Sequence, residues 1–135
     1  MDWKLELIVV PVSDMDRAKE FNTGTLGWTL IVDHRAGEDF RVIQVVPPGS
    51  TCAIALMRNP DAAGSLQGLH LIVNDIEAAS AELASRGVAA SEPFHIEDGA
   101  QAAGPDPKRS DYGTFLTFAD PDGTGWLVQE VGHQP

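Results

Sequence analysis

This chain of 135 residues has few sulfur-containing residues and no long apolar run. Its one cysteine, Cys52, excludes an internal disulfide framework and agrees with a reducing compartment. No stretch approaches the roughly 20 consecutive apolar residues of a membrane-spanning helix. Residues 1–4 lack the basic region and apolar core of a signal peptide. We therefore expect a cytoplasmic protein without a membrane partner.

Positive charge is also scarce, because 9 lysines and arginines stand against 20 aspartates and glutamates, a formal net charge of −11. A surface this acidic repels phosphate backbones, so we expect no nucleic-acid partner. It could attract a cationic ligand, although acidity also serves solubility alone. The length suits one compact domain, and the 43% hydrophobic content predicts an ordinary globular fold.

One pattern occurs twice along the chain: an apolar strand-like run, a polar helix cap, a helix that ends at glycine, and three further strand-like runs. Residues 12–16 align with residues 73–77 at an offset of 61, and Gly27 aligns with Gly87 at an offset of 60. In each aligned segment an acid follows Ser13 or Asn74 by three positions, which is typical of a capping box at the start of a helix. Either Ser13 or Asp14 can cap the first helix.

The predicted architecture is an α+β protein of two βαβββ modules, at about residues 4–58 and 67–132, within a single domain of residues 1–135. A Gly- and Pro-containing segment, residues 96–110, predicts a mobile loop or lid. The predicted strands are residues 5–12, 28–32, 40–46 and 52–56 in the first module, and residues 68–73, 88–93, 113–118 and 126–131 in the second.

Several of these motifs together resemble a known superfamily. Residues 10–18, followed by Leu26-Gly27-Trp28, resemble the opening of glyoxalase-like proteins, and residues 118–123 with Trp126-Leu127 resemble their closing hairpin. The chain is thus similar, over nearly its whole length, to the vicinal oxygen chelate superfamily of glyoxalase I, bleomycin-resistance proteins, fosfomycin-resistance proteins and extradiol dioxygenases. The resemblance implies paired modules that form a half-barrel-like mixed sheet around a concave cavity, often in a homodimer.

Enzymes of this superfamily hold a divalent metal through His, Gln or Glu side chains on inward strand positions. One such position lies seven residues before the Asp that opens each helix, and here it is occupied by Leu7 and Gly68. Another lies four residues after the glycine of the closing turn, and here it is Leu127. None of these three residues can bind a metal through its side chain. We therefore expect neither a native metal nor another cofactor.

Nearby residues offer an incomplete substitute for the missing ligands. Strand side chains alternate between faces, so His70 shares the face of Gly68 and Gln129 shares the face of Leu127. Glu130 has the opposite parity. A catalytic metal needs about three protein ligands, and only His70 is a good candidate. A metal-dependent lyase or dioxygenase with a displaced ligand set is therefore the alternative function.

Five residues are candidates for ligand binding: His70, Gln44, Gln129, Tyr112 and Phe115. His70 either contacts a ligand or is satisfied by a backbone carbonyl. Gln44 lies in an apolar run and either contacts a ligand or faces water. Tyr112 and Phe115 could stack on a planar ligand, although Phe115 suits a plain core equally well.

The remaining chemically active side chains favour ordinary roles. His34 and His95 are predicted to lie in solvated loops, although His95 could sit at a cavity mouth, and His133 lies in the tail. Cys52 is predicted to be an inert thiol. Trp28 and Trp126 are predicted to fill the core under the helices.

The leading hypothesis for function is a bleomycin-resistance-like protein that binds a small organic molecule in an apolar cavity without a metal. A protein-interaction role with an unused cavity is a third possibility, and the residues leave open whether any reaction is catalysed.

Overall fold

The computed structural model describes residues 1–135 and divides them into two compact units. The first unit comprises Met1–Leu66 with Asp120–Thr124, and the second comprises Gln67–Ala119 with Gly125–Pro135. Each unit contains one mixed β-sheet and one α-helix, which confirms the predicted α+β class and the repeated module. No helix in the structure is long and apolar enough to cross a membrane.

The first unit is built on a four-stranded sheet. Its elements are β1 (Leu7–Val12), α1 (Met15–Lys19), β2 (Thr29–Ala36), β3 (Phe40–Val46) and β4 (Ala53–Arg58). The order of the strands in the sheet is β1-β4-β3-β2, in which β1 and β4 are parallel and the other pairs are antiparallel. Helix α1 continues as a π-helical segment, Glu20–Thr25.

The second unit is built on a five-stranded sheet, one strand more than in the first unit. Its elements are β5 (Leu69–Val73), α2 (Ile76–Ser85), β6 (Phe94–Glu97), β7 (Ala100–Ala103), β8 (Thr114–Ala119) and β9 (Gly125–Glu130). The order of the strands in the sheet is β5-β9-β8-β6-β7, and β5 and β9 are parallel.

Both helices begin after an aspartate: Asp14 is one of the two predicted caps of α1, whereas Asp75 lies one residue later than the predicted Asn74. The Asp14 carboxylate accepts from the backbone N–H of Arg17 at 3.1 Å, and the Asp75 carboxylate accepts from Glu77 and Ala78. Both aspartates have extended backbones, and their carbonyls accept the first helical hydrogen bonds. These are the two properties of an N-cap, so Ser13 and Asn74 are not the caps.

The aligned glycines, Gly27 and Gly87, have the same left-handed backbone, with φ of 73° and 76°. Only glycine adopts that conformation without steric cost, so it suits the residue just after a helix. The closing turn of the predicted hairpin, Asp120–Gly123, also forms, because the N–H of Gly123 donates to the carbonyl of Asp120 at 3.0 Å. Within the first unit the backbone N–H of Ser13 donates to the Asp122 carboxylate at 3.0 Å.

Two predictions about the second unit are wrong. Residues 88–93 form only an isolated bridge, between Ala90 and Phe118, instead of a strand. The segment predicted as a long loop, residues 96–110, contains part of β6 and all of β7. Its tight turn is Asp98-Gly99, with φ of 52° and 78°, and an Asp-Gly pair of this kind closes a two-residue hairpin.

The buried core of the second unit lies on the side of its sheet that packs against α2. Leu116 and Phe118 on β8 and Trp126 and Val128 on β9 are buried there, which confirms the prediction for Trp126. The rings of Phe118 and Trp126 are stacked, with centroids 6.1 Å apart. The helix adds Ile76, which is fully buried. The other side of the sheet is therefore available for function.

Candidate functional site

The side of the second sheet that faces away from α2 carries the candidate site, and we call it the open face. Its side chains alternate along the strands with those of the buried core. The open face consists of His70, Ile72, Phe94, Ile96, Phe115, Thr117, Leu127 and Gln129.

The strand register arranges these side chains in two rows across neighbouring strands. One row is His70, Leu127 and Thr117. The other row is Ile72, Gln129 and Phe115, and it continues to Phe94 on β6. Directly opposed side chains on one face lie about 4.5–5.5 Å apart at Cβ, so each row is a continuous surface. Three of the five predicted site residues therefore share this face.

The open face is mostly apolar although it lies at the surface. Ile72 is 58% exposed, and Phe94 and Phe115 are only half-buried. The two phenylalanine rings lie 5.7 Å apart between centroids, at a tilt of 37°. A contiguous exposed apolar surface with a few polar groups is typical of an interaction or ligand site, whereas scattered apolar residues are not.

A groove of about 510 Å³ opens at one end of this face, where β5 and β9 begin and β8 ends. Gly68, Thr117 and Leu127 line it, together with Ala89 and Ser91 from the segment that runs beside β8. Ligand pockets generally enclose about 300–1,000 Å³, so the groove has room for a small organic molecule. Gly68 and Leu127 occupy two of the positions at which the resemblance implies metal ligands. Both line the groove, and neither has a side-chain atom that could bind a metal.

The imidazole of His70 is exposed, and its Nδ1 forms a short hydrogen bond with the carbonyl of Gly68. A carbonyl oxygen only accepts, so Nδ1 is the donor. In the neutral ring Nε2 then has a lone pair and can accept a hydrogen bond from a ligand. The two sequence-based alternatives for His70 are therefore compatible, because one nitrogen bonds the backbone while the other remains available.

The other two predicted site residues lie elsewhere. Gln44 is half-buried on β3 of the first unit, where it pairs with Ala55. Tyr112 lies outside the strands, is exposed, and has a left-handed backbone with φ of 60°. Its backbone N–H donates to the carbonyl of Glu130 at 2.9 Å.

The histidines assigned to loops are placed differently by the structure. His34 is exposed but belongs to β2, which extends further than predicted. His95 is only 7% exposed on β6, and its Nδ1 donates to the carbonyl of Gly104 at 2.7 Å. The expectation of a solvated loop around His95 is wrong because the β6–β7 hairpin was not recognised. His133 lies 3.6 Å from the carboxylate of Glu130.

A buried ion pair that sequence reasoning missed joins Arg109 to Glu130. Glu130 is fully buried, and it accepts from Nε and Nη2 of Arg109 at 2.8 and 2.6 Å and from the N–H of Ile76 at 2.8 Å. The Arg109 guanidinium holds the pKa of this carboxyl below its usual range. The parity of Glu130 correctly excluded it from the open face, but its partner lies 21 residues away in a segment without periodicity.

The residues at the superfamily's ligand positions do not fit a metal ion. Leu7, Gly68 and Leu127 have no side-chain donor atoms, and no group of three or more His, Cys, Asp or Glu side chains in the structure is placed to hold one. We therefore derive no chemical step through a metal, and the absence of a native metal stays a prediction.

Two modules of similar build are typical of a glyoxalase-like protein: each begins with a strand and a helix and has a mixed sheet in which that strand runs parallel to the module's last one. The model of the Glyoxalase/Bleomycin resistance protein/Dioxygenase superfamily matches residues 4–128, and the chain belongs to this superfamily. This confirms the resemblance inferred from the motifs.

Proteins similar to this chain occur in Streptomyces and Bacillus, among other organisms. TnmS3, an antibiotic binding protein from Streptomyces sp. CB03234, is 32% identical, with 96% of each chain covered and a TM-score of 0.73. A glyoxalase/bleomycin resistance protein from the same organism is 33% identical, with 94% of this chain and 100% of that chain covered and a TM-score of 0.69. YetH of Bacillus subtilis (strain 168) is 28% identical over 126 residues, which are 91% of this chain and 94% of that protein.

Proposed function

We propose that this protein binds a small, largely apolar organic molecule on the open face of the second sheet, without a native catalytic metal. The observation that carries the proposal is the open face itself, an exposed apolar surface with a groove beside it. The similarity to TnmS3, described as an antibiotic binding protein, supports an antibiotic-like ligand. We place this activity in a cytoplasmic homodimer whose two modules form one domain.

The open face defines what such a ligand should look like. Phe94 and Phe115 favour a flat aromatic or polycyclic body, because tilted and offset rings attract each other. His70 accepts a hydrogen bond at Nε2, and the Gln129 amide both donates and accepts. The ligand should therefore present a hydroxyl or N–H group at one edge. A cationic group on it would be attracted by the net charge of −11.

The test is a thermal-shift and calorimetry screen of the protein treated with EDTA, with bleomycin, daunorubicin and puromycin as probes. A compound that binds the folded state raises the melting temperature with its concentration. We expect at least one probe to do so, and Phe115→Ala to weaken its binding. No stabilisation by any of the three would contradict the proposed ligand class.

The metal-dependent alternative is tested on the same preparation. Elemental analysis of untagged protein, purified without added metal, should find no stoichiometric Zn, Ni, Mn or Fe. About one metal ion per chain would overturn the metal-free part of the proposal and favour the lyase or dioxygenase hypothesis.

A further inference from the structure

A second cavity, in the first unit, contains three of the nine basic side chains of the protein. It has a volume of about 370 Å³ and lies where β1, β2 and β4 end and α1 begins. Arg35, Arg41 and Arg58 line it from β2, β3 and β4, which are neighbours in the sheet. We call this cavity the arginine pocket.

The strand register places the three arginines in one row. Arg35 is directly opposite Arg41, and the pairing of Val42 with Met57 brings Arg58 to the other side of Arg41. Like charges opposite each other on one face of a sheet are destabilising. The chain has a net charge of −11, yet three of its few positive charges lie side by side here, where their repulsion lowers the stability of the fold. Arrangements that lower stability in this way are common at functional sites.

Only the central arginine of the row is neutralised. Arg41 donates from Nε and Nη2 to the two carboxylate oxygens of Asp33, each at 2.9 Å, and from Nη1 to Asp16 at 2.8 Å. The side chains of Arg35 and Arg58 are exposed and form neither a hydrogen bond nor an ion pair. Two guanidinium groups, each with five N–H donors, are therefore available to a ligand.

Two of the acidic residues of the pocket have hydrogen-bond partners within the protein, and two do not. Asp14 caps α1 and Asp16 is bound by Arg41, so both carboxylates are already used. Glu38 and Asp39, in the turn between β2 and β3, line the pocket, are exposed, and form no ion pair. Outside the ion pairs of Arg41, the pocket therefore holds two positive charges, on Arg35 and Arg58, and three negative ones, of which the Asp14 carboxylate is engaged by the backbone N–H of Arg17. Its apolar lining comes from Phe40, which is 44% exposed, and Met57.

We propose that the arginine pocket binds a zwitterionic small molecule with a carboxylate, an ammonium group and an apolar side group, as in an amino acid. Arg35 and Arg58 bind the carboxylate, since guanidinium and carboxylate form charge-assisted hydrogen bonds. Glu38 and Asp39 bind the ammonium group, and Phe40 contacts the apolar part. A zwitterion has no net charge, so the acidic surface does not repel it as it repels a simple anion. The pocket is a different site from the open face and does not depend on the function proposed for it.

Three related compounds, each with a phenyl ring, test the proposal on the full chain. Their binding is followed by NMR through the chemical shifts of the backbone amides. Phenylalanine carries both charged groups, 3-phenylpropionate lacks the ammonium group, and 2-phenylethylamine lacks the carboxylate. We expect saturable shifts at Arg35, Phe40 and Arg58 with phenylalanine, and affinities weaker by about tenfold or more for the other two. The absence of shifts with phenylalanine, or equal binding of either one-charge probe, would overturn the proposal.

Variants that remove one positive charge distinguish binding in the arginine pocket from a general effect of the protein's net charge. Arg35→Gln and Arg58→Gln break no ion pair, so both should fold, and each should lower the affinity for phenylalanine by about tenfold. Lys108→Gln removes one positive charge from the second unit as a matched control and should leave binding unchanged. If Lys108→Gln weakens binding as much as Arg58→Gln does, or if Arg58→Gln has no effect, the pocket is not the site.

Discussion

At the scale of the residue, β5 divides its side chains between the two sides of the second sheet. His70 and Ile72 lie on the open face, and both are exposed. The Arg109–Glu130 pair and the row of arginines could not be predicted, because both depend on tertiary proximity or on strand register. Periodicity shows which way a side chain points but not which distant side chain it meets.

His70→Ala should change stability by about 1 kcal/mol or less, because the imidazole is exposed and its loss empties no packed core. Leu116→Ala, on the buried side of β8, should cost roughly 2–5 kcal/mol through cavity formation. Urea melts of both variants measure the difference. Equal destabilisation would show that the assignment of faces is wrong. In the ligand screen, His70→Ala should weaken binding, whereas His133→Ala should not.

Arg109→Met should destabilise the protein because it leaves the Glu130 carboxylate buried without its partner. We expect a loss of roughly 1–3 kcal/mol, less than for a fully buried pair, since the Arg109 side chain is partly exposed to water. The double variant Arg109→Met, Glu130→Leu should recover part of this loss. Chemical denaturation of the single and double variants measures their free energies of unfolding. A double variant less stable than Arg109→Met would show that the unpaired Glu130 carboxylate is not the cause of the loss.

At the scale of the element, the sequence predicted the repeat well because its signals are local. Each helix has an aspartate at its start and a left-handed glycine beyond its end, and both lie at aligned positions. The β6–β7 hairpin was missed because its strands have four residues each, too few for alternation to stand out. Its only signal was the Asp98-Gly99 pair, which was read as part of a loop.

Gly87→Ala tests the left-handed end of α2. A Cβ at this position would meet nothing within 4 Å, so the change isolates the backbone cost, about 1–2 kcal/mol. Gly87→Asn should cost less, because asparagine tolerates this conformation better. Thermal melts of the two variants should show this order. Equal stability of Gly87→Ala and the unaltered protein would contradict a left-handed backbone at this position.

At the scale of the whole molecule, its acidity governs the response to pH. The pKa values of Asp16, Asp33 and Glu130 are all lowered by hydrogen bonds from arginine. A lowered pKa in the folded state means that the unfolded state binds more protons as the pH falls. The stability from these groups is therefore complete above their unfolded values, about 4 to 4.5, and is lost as the pH falls through their folded values.

Melting temperature should accordingly pass through a maximum with decreasing pH. Partial neutralisation of the net charge of −11 relieves repulsion first, and protonation of the paired carboxylates then destabilises the fold below about pH 4. Melts across this range, repeated with Arg41→Gln, measure both effects. The variant should be less stable at neutral pH and lose less on acidification. A melting temperature that rises steadily to pH 3 would exclude this account.

The hydrogen bond between Ser13 and Asp122 has a consequence for how the chain is made. It joins two residues of the first unit that are 109 positions apart in the sequence, and in each sheet the first strand along the chain likewise pairs with the last. A nascent chain that has left the ribosome as far as Leu66 contains every strand of the first sheet but none of the turn that holds Ser13. The first unit therefore reaches its final hydrogen bonding only after residues 67–119 have been synthesised and residue 122 has emerged from the ribosome.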